Sequence, residues 1–451
     1  MPVDFLTTEQ ELNYGRYVAE PNDVQLARYF HLDERDLAFI NQRRGRHNRL
    51  GIALQLTTAR FLGTFLTDLT RVLPGVQQFV AVQLNIRRPE VLTRYAERVT
   101  TLREHTALIK EYYGYHEFGD FPWSFRLKRL LYTRAWLSNE RPGLMFDFAT
   151  AWLLQNKVLL PGATTLVRLV SEIRERANQR LWKKLAALPD SWQTARVTEL
   201  LDIPEGQRVS PLELLKKGPV TVSGPAFTEA LERYTRLRNL EFSRLNFTGL
   251  PAIQLRNLAR YAGMASVKYI TRMPKQRKLA ILTAFVKAQE ITALDEAVDV
   301  LDMLIRDITR EAKKTGQKKW LRTLKDLDRA ALLLARACSL LLDDNADDPD
   351  LRRAIFSCVP KSRLAESVSK VNELACPQNN NFHDEMVEQY GRVKRFLPAL
   401  LRDLHFRAAP AGEHTLAAIH YLTELNGSKK RILDDAPEHI ITGPWKRLVY
   451  D

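Results

Sequence analysis

The sequence predicts an all-α protein with several domains. Nearly every segment repeats its apolar residues with the helical period, and alternating strand patterns bounded by turn residues are scarce. The chain has 451 residues, of which 45% are hydrophobic. That length exceeds the size at which a single core keeps growing, so roughly two to four helical domains are expected.

The positive charge is concentrated in the middle of the chain. Residues 1–40 hold 3 Lys or Arg against 8 Asp or Glu, residues 41–280 hold 39 against 19, and residues 281–451 hold 26 against 26. The net charge of +15 therefore originates in the middle stretch. A localised basic excess indicates a surface for a polyanion, and the balanced last stretch is expected to do mechanical or assembly work.

The first patterned element is DVQLARYFHLDERDLAFINQ, residues 23–42. Its apolar residues follow the spacing of a helix-turn-helix, with small Ala27 where the two helices would cross. They are Leu26, Phe30, Leu32, Leu37 and Ile40. Asp33, Glu34 and Asp36 near the start of the second helix suit the helix dipole but repel phosphate. The unit is therefore interpreted chiefly as a packed helix pair.

A cluster of cations follows in NQRRGRHNRLG, residues 41–51. It contains Arg43, Arg44, Arg46 and Arg49. Gly45 is expected to separate a helix carboxyl terminus, which favours the first two arginines, from a new helix capped near Asn48. The last two arginines would then flank the N–H groups of that helix, which predicts an anion site. Whether His47 and Asn48 also read a base stays open.

A second helix-turn-helix pattern covers residues 77–96. Asn85 suits its turn and Pro89 suits a first helical turn, whereas Arg94 occupies a position that should be apolar. Arg87 and Arg88 lie where a recognition helix would enter, and Arg94 and Arg98 follow. DNA recognition and simple packing both remain open here.

Aromatic residues alternate with cations between residues 103 and 134. The rings are Tyr112, Tyr113, Tyr115, Phe118, Phe121, Trp123 and Phe125, and the cations are Lys110, Arg126, Lys128 and Arg129. Such a mixture can stack on bases or support backbone contacts. Most of the rings are interpreted instead as anchors of a corner between helices.

A long amphipathic helix is predicted after Pro161 and Gly162, over TTLVRLVSEIRERANQRLWKKL. Its apolar stripe is Leu166, Leu169, Val170, Ile173, Ala177 and Leu181, and its basic face is Arg168, Arg176, Arg180 and Lys184. A basic helix face is usually only solvated. Because few acids offset these cations, a partner or phosphate is expected to neutralise part of the face.

The proline-rich residues 186–226 are predicted to connect domains, with helices resuming at Phe227. Cations then crowd the start of another apolar helix, as they do at residues 43–49. They are Arg272, Lys275, Arg277 and Lys278. Two further helices are predicted over Ala293–Lys314 and Trp320–Leu342, followed by an acidic loop.

Several classes of site are excluded by spacing. The acidic loop matches the first EF-hand positions at Asp343, Asn345 and Asp347 but lacks the required Gly and Glu. The three cysteines, Cys338, Cys358 and Cys376, form no CxxC, and there is no HExxH, P-loop, dinucleotide fingerprint or nucleophile elbow. No signal peptide or membrane-spanning stretch is recognised, so an intracellular protein without a membrane partner is expected.

Four segments together carry a family resemblance. RRGRHNRLGIALQLTTARFLGTF, REHTALIKEYYGYHEF, LLPGATTLVRLVSEIRERA and GLPAIQLRNLARYAGMASVKYITRMPKQRKLAILTAFV, in this order, resemble the amino-terminal region of Tn3-family transposases. The resemblance implies an enzyme that cuts and joins transposon ends, whose front half binds the terminal inverted repeats in double-stranded DNA. It also implies catalysis by an RNase H-like domain that holds Asp, Asp and Glu around a divalent metal such as Mg²⁺. That domain is expected to lie outside this chain, so neither catalysis nor a cofactor is expected of these residues alone.

Three domains are predicted, and the resemblance implies a bacterial, nucleoid-associated protein of the cytoplasm. Residues 1–160 would form an amino-terminal DNA-binding domain with helix-turn-helix-like modules, and residues 161–285 a second basic DNA-binding region with the Pro-rich connector. Residues 286–451 would form a helical scaffold or dimerisation region, with self-association in the full-length transposase. Arg87, Arg88 and Asn48 are predicted to contact bases. Phosphate contacts are predicted for Arg43, Arg44, Arg46, Arg49, Arg168, Arg176, Arg180, Lys275, Arg277 and Lys278. Further DNA contacts are predicted for His47, Arg94, Lys110, Arg126, Lys128, Arg129, Lys184 and Arg272.

An alternative function is a free-standing regulator that occupies the same DNA ends and blocks transposition. A reading frame that continues after codon 451 into an acidic triad would favour the transposase, and a stop codon would favour the regulator. A nuclease that uses carboxylates of this chain is disfavoured, because no paired carboxylates stand out.

Overall fold

The computed structural model describes residues 5–96, 99–342, 348–374 and 383–428. These residues contain helices and no strands, and their one β pairing is an isolated bridge between His116 and Val158. The all-α prediction is therefore confirmed. None of the described helices is both long and apolar enough to cross a membrane.

The helices are numbered in chain order. They are α1 (Thr8–Asn13), α2 (Asp23–Gln25), α3 (Glu34–Asn41), α4 (Arg46–Leu62), α5 (Pro74–Gln83), α6 (Thr93–Ala96), α7 (Val99–Tyr113), α8 (Trp123–Leu137), α9 (Pro142–Gln155), α10 (Ala163–Ala186), α11 (Ser191–Glu199), α12 (Pro211–Leu215), α13 (Gly224–Arg238), α14 (Ala252–Met264), α15 (Val267–Thr271), α16 (Lys275–Leu341), α17 (Asp348–Cys358), α18 (Lys361–Leu374), α19 (His383–Glu388), α20 (Tyr390–Val393), α21 (Leu397–Asp403) and α22 (Glu413–Gly427). A π-helical turn covers Leu26–Phe30, and 3₁₀ turns cover Leu69–Arg71, Pro89–Leu92, Phe242–Arg244 and Pro410–Gly412.

The chain forms two compact units. Unit 1 contains the described residues up to Thr198 together with Leu245–Phe285, and unit 2 contains Glu199–Arg244 together with the described residues from Val286 onward. Each unit has its own hydrophobic core.

The first core of unit 1 surrounds α4. Residues 50–59 of this helix are all buried, and α3, α5 and the 3₁₀ turn at Pro89–Leu92 pack against it. The ring of Tyr95 lies directly on Gly51, where an added Cβ would come within 2.4 Å of the ring. The Tyr95 hydroxyl lies 2.9 Å from Nδ1 of His105, which brings α7 into the same core. Only glycine leaves room for this contact.

The rest of unit 1 is built on α10. Its amino-terminal half packs with α8 and α9 through Leu166, Val170 and Ile173. Its carboxyl-terminal half shares a second cluster with the start of α16 and with α14, in which Leu181 and Leu185 meet Ala280. Residues far apart in sequence therefore surround one long helix.

In unit 2, α13 and α21 pack against α16. Phe227, Leu231, Val300 and Phe396 are buried at the centre of this core. Arg233 is buried beside it, donates Nε to the Leu215 carbonyl at 2.8 Å, and pairs with Glu296. A buried cation is tolerated because its donors are satisfied.

Three predicted element boundaries are wrong. The helices predicted at Ala293–Lys314 and Trp320–Leu342 belong to the single 67-residue helix α16, because an interior glycine such as Gly316 costs a helix only about 1 kcal/mol. The predicted connector contains α11 and α12, and α13 begins at Gly224 rather than Phe227.

The helix-turn-helix detail at residues 23–42 is not confirmed. Its first helix is a single turn, α2, followed by the π-helical turn, and Ala27 is exposed instead of lying at a helix crossing. Phe30, Leu32 and Ile40 are buried, as a packed helical unit requires. Arg98, residues 343–347 of the acidic loop, and Cys376 lie outside the described residues.

Candidate nucleic-acid interface

The arginine cluster forms the junction between α3 and α4. Gly45 adopts a left-handed φ of 83° and is the N-cap residue of α4, which begins at Arg46. The predicted helix start near Asn48 is wrong, because the turn at Gly45 lets the helix begin earlier. The Asn48 side chain instead donates Nδ2 to the Arg44 carbonyl at 2.9 Å and ties the new helix to the turn.

The amino terminus of α4 is open to an anion. No side chain caps it, and its first turn contains no acid. Arg44 and Arg46 are exposed, and within the described parts of the chain their guanidinium groups have no hydrogen-bond or ion-pair partner. Free N–H groups, the helix dipole and two cations therefore coincide at one place, which favours phosphate.

The other residues of the cluster are partly buried and shape this junction. The Arg43 guanidinium lies 5.4 Å from the centroid of Phe39, and Arg49 donates Nε to the Arg43 carbonyl at 3.0 Å. The His47 ring lies against Gly45. Burial, together with the charge of Arg43, lowers the pKa of His105 to about 4. We call Arg43, Arg44, Arg46, Arg49 and the first turn of α4 the junction surface.

The acids upstream of the junction have structural roles. Asp33 caps α3 by accepting from the Asp36 amide at 2.7 Å. Asp36 is buried and accepts hydrogen bonds from Arg60 at 2.6 and 2.8 Å and from the Tyr113 hydroxyl at 2.7 Å. Burial alone would raise the pKa of Asp36, but the bonds from Arg60 and Tyr113 hold it below its usual value. Asp36 is therefore not an exposed acid beside the junction, because Arg60 neutralises it in the interior.

A second group of cations follows α5. Asn85 has a φ of 57°, as its predicted turn position requires, and Pro89 opens a 3₁₀ turn. Arg87, Arg88 and Arg94 are exposed. No described residue pairs with their guanidinium groups. They are therefore available to a ligand on the segment that packs against α4.

Most rings of the aromatic segment are structural anchors, as interpreted from the sequence. Tyr112 and Tyr113 pack on Phe39, and Trp123 stacks on His116 with centroids 4.9 Å apart. Tyr115 contacts Phe65, and Phe118 lies against the α8–α10 core. Phe121 and Phe125 differ, because they are 84% and 57% exposed.

The cations of this segment are held in different ways. Lys110 pairs with Glu117 at 2.7 Å, so a carboxylate already offsets its charge. The Arg126 guanidinium lies 5.3 Å from the centroid of Trp123. Lys128 and Arg129 are exposed on α8.

The basic face of α10 meets α8. All of the predicted apolar stripe is buried or partly buried. Arg180 donates to the Tyr132 hydroxyl at 3.1 Å and lies 5.1 Å from the centroid of Trp136, and the Lys184 ammonium lies 5.7 Å from the same centroid. Arg168 and Arg176 are exposed on the same helix. Cations of α10 are therefore supported by rings of α8.

The start of α16 joins this arrangement. Arg277 lies 5.0 Å from the centroid of Trp182 and 5.8 Å from that of Tyr261. Lys278 donates to the Thr271 carbonyl at 3.0 Å, and Arg272 and Lys275 are exposed. We call the cations of α8, α10 and the α16 start, with their supporting rings, the ring-supported surface.

Sequence reasoning did not single out Trp136 and Trp182 as the residues that hold these cations. The signal is absent from any short window, because Trp136 and Arg180 are brought together only by the packing of α8 on α10. Among the described residues, no three His, Cys, Asp or Glu side chains are grouped to hold a metal ion.

Comparisons with known proteins give one family and a set of relatives. A family model described as a domain of unknown function, DUF4158, matches residues 5–173. The chain is 90% identical over 451 residues to the transposase for transposon gamma-delta of Escherichia coli (strain K12), which covers 100% of the chain and 45% of that protein. It is 29% identical over 437 residues to the transposase for transposon Tn501 of Pseudomonas aeruginosa, covering 96% of the chain and 44% of that protein. A transposase for transposon Tn4556 of Streptomyces fradiae is 30% identical over 268 residues, which covers 55% of the chain and 30% of that protein. The chain thus spans less than half the length of these relatives.

Proposed function

Because the chain belongs to the Tn3-family transposases, we propose that it binds the terminal inverted repeats of a transposon in double-stranded DNA. Unit 1 makes the contacts, through the junction surface and the ring-supported surface. The chain thereby acts as the end-binding part of a transposase, and unit 2 serves as scaffold and self-association region. Divalent-metal chemistry belongs to another part of the full-length transposase, and no step proposed here runs through a metal.

The observation that carries this proposal is the open amino terminus of α4. Arg44 and Arg46 are exposed beside backbone N–H groups that no side chain caps. A phosphate at this place would receive backbone hydrogen bonds and two charged donors at once. Without an anion, the same arrangement is unfavourable, because cations and a helix amino terminus repel each other.

Arg87 and Arg88 are proposed to read base edges. They are exposed beside a 3₁₀ turn that packs on α4, so the core that positions the junction surface also positions them. Arginine reads guanine through two parallel hydrogen bonds in the major groove. Phosphate contacts at the junction would then set the register, and these two side chains would contribute specificity.

The test is equilibrium binding across a salt series. The full chain is titrated with a duplex that carries the end of transposon gamma-delta and with a scrambled duplex of equal length. We expect tighter binding to the end duplex. Equal affinity for both duplexes at every salt concentration would refute end recognition.

Variants assign the phosphate contacts. Replacing Arg43, Arg44 and Arg46 together with Ala should lower the slope of log affinity against log salt by roughly two to three units, if each contacts a phosphate. Because Arg43 is partly buried, the double variant R44A/R46A should lower the slope by about two units without disturbing the core. The matched control replaces Arg306, Arg310 and Arg329 of unit 2, each beside an aspartate one turn away. An equal slope change in this control would contradict a specific role of the junction surface.

A further inference from the structure

The side chains of Phe121 and Phe125 are exposed and do not belong to the described hydrophobic cores. Phe121 is 84% exposed and Phe125 is 57% exposed. Within the described residues, neither ring packs on another ring or on a core cluster. The neighbouring rings Tyr113, Phe118 and Trp123 are all packed. Stability therefore does not explain why these two side chains are aromatic.

The two rings lie at the amino-terminal end of α8. Phe125 is in the first turn of the helix, and Phe121 directly precedes the N-cap residue Pro122. Ser124 donates its amide to the Asp120 carbonyl at 3.1 Å, and Arg126 donates to the Pro122 carbonyl at 2.9 Å. These bonds join the turn that contains Phe121 to the start of the helix, so both exposed rings lie at the same end of α8.

The side of α8 on which Phe125 lies continues as a basic surface. Lys128 and Arg129 follow Phe125 by three and four residues, which is one further turn along that face. Tyr132 and Trp136 come next, and they support Arg180 of α10. The exposed rings therefore lie at one end of the ring-supported surface.

Charge favours DNA as the occupant of this end. The sequence of α8, WSFRLKRLLYTRAWL, contains no acidic residue. The two acids that precede it are engaged, because Asp120 accepts from the Glu117 amide at 2.9 Å and Glu117 pairs with Lys110 at 2.7 Å. An apolar tip on a cationic track matches the side chains that DNA-binding proteins insert between base steps.

We infer that Phe121 inserts between stacked base pairs of DNA bound along α8. This inference rests on the proposed end binding, since the cations of α8 and α10 bring the duplex to the ring. Insertion partly unstacks one base step and bends the duplex, and the aromatic face replaces part of the lost stacking.

The experiment uses end duplexes of transposon gamma-delta with one 2-aminopurine, placed at successive positions. The fluorescence of this base rises when its stacking is lost. With the wild-type chain we expect a rise at one step, and with Phe121→Ala no rise at any step. Because Phe121→Ala removes no charge, affinity should fall about tenfold with an unchanged salt slope.

Two further variants serve as controls for the fluorescence experiment. Leu137→Ala removes another exposed apolar side chain from the other end of α8, where Leu137 is 56% exposed, and it should retain the fluorescence rise. Phe121→Leu should retain part of the rise, because aliphatic side chains also insert between base steps.

The outcomes separate this inference from the proposed function. Specific end binding without a rise at any position would overturn the insertion and leave end binding intact. A loss of end preference in the wild-type chain would overturn both. A change in the sedimenting mass of the free chain on Phe121→Ala, with unaltered DNA binding, would instead assign the ring to a protein contact and overturn the inference.

Discussion

Units 1 and 2 hold their cations against different partners. In unit 1, Arg126 lies over Trp123, Arg180 over Trp136 and Arg277 over Trp182. Along α16 in unit 2, several cations are paired with carboxylates instead. Examples are Arg306 with Asp302 at 2.9 Å, Arg310 with Asp307 at 3.1 Å and Lys319 with Glu388 at 2.9 Å.

The two kinds of partner act differently on a cation, because a ring only orients it and a carboxylate also neutralises it. A ring orients a guanidinium through its negative face but leaves the full positive charge, whereas a carboxylate orients the cation and cancels its charge. The ring-held cations of unit 1 therefore keep a full charge that they can offer to a polyanion, whereas the carboxylate-paired cations of α16 are largely neutralised. The basic excess of residues 41–280, 39 cations against 19 acids, includes these ring-held charges.

The largest expected effect comes from a carboxylate-paired cation inside unit 1, the buried pair of Asp36 and Arg60. Replacing Asp36 with Ala leaves Arg60 and the Tyr113 hydroxyl without their acceptor. We expect the free energy of unfolding of unit 1 to fall by about 3 kcal/mol, because a partly buried cation loses its partner. Hydrogen–deuterium exchange of the α4 amides in denaturant measures the change.

The matched control is Asp302→Ala in unit 2. Its pair with Arg306 is exposed, with the side chains 53% and 71% accessible, so the expected loss is at most about 0.5 kcal/mol. The two variants should also differ with pH. Since the Asp36 pKa lies below its unfolded value near 3.8, its contribution is complete above that pH and is lost as the pH falls below it. Equal losses for both variants would contradict a buried role of Asp36.

A loss of stability of intermediate size is expected when the pH is lowered, because His105 is buried and lies near the positive charge of Arg43. Burial and this charge lower the His105 pKa from 6.5 to about 4. Below pH 6.5 the His105 imidazole takes up a proton in the unfolded chain but not in the folded chain. The free energy of unfolding therefore decreases as the pH is lowered from 6.5 to about 4. Between pH 7 and pH 5 the expected loss is about 1 kcal/mol for unit 1, with partial solvent screening included.

His105→Gln should remove this pH dependence, because the amide does not titrate. The measurement is the protection of α4 and α7 amides at pH 7 and pH 5 in both chains. A pH dependence of the same size in the variant would assign it to other histidines and contradict the role of Arg43.

The fold was predictable from the sequence where one periodic pattern fills one helix. The stripe of α10 gives the helix, its start after Gly162 and its buried side correctly. Boundaries failed where a single residue decides them, as at Gly45, whose positive φ starts α4 before the expected cap, and at Gly316, which does not interrupt α16.

Only part of the candidate interface could be predicted from the sequence. The positions of the cations come from the sequence, but their partners do not, because Asp36 meets Arg60 and Tyr113 only after three helices pack. The acid that looked repulsive on a helical projection is internal for this reason. Trp136 was likewise undetectable as a support for Arg180, since no local spacing links α8 to α10.

The smallest expected effect is the most direct test of ring support against carboxylate pairing. Arg180→Ala should lower the salt slope of end binding by about one unit, whereas Arg306→Ala should leave it unchanged, because Asp302 already offsets that charge.

Trp136→Leu keeps the charge of Arg180 but removes the ring that orients it. We therefore expect an unchanged slope with an affinity loss of a few-fold, roughly the value of one cation–π contact. The measurement is the same salt series on all three chains. An equal slope for Arg180→Ala and Arg306→Ala would mean that rings and carboxylates leave cations equally available, and the contrast between the two units would lose its functional meaning.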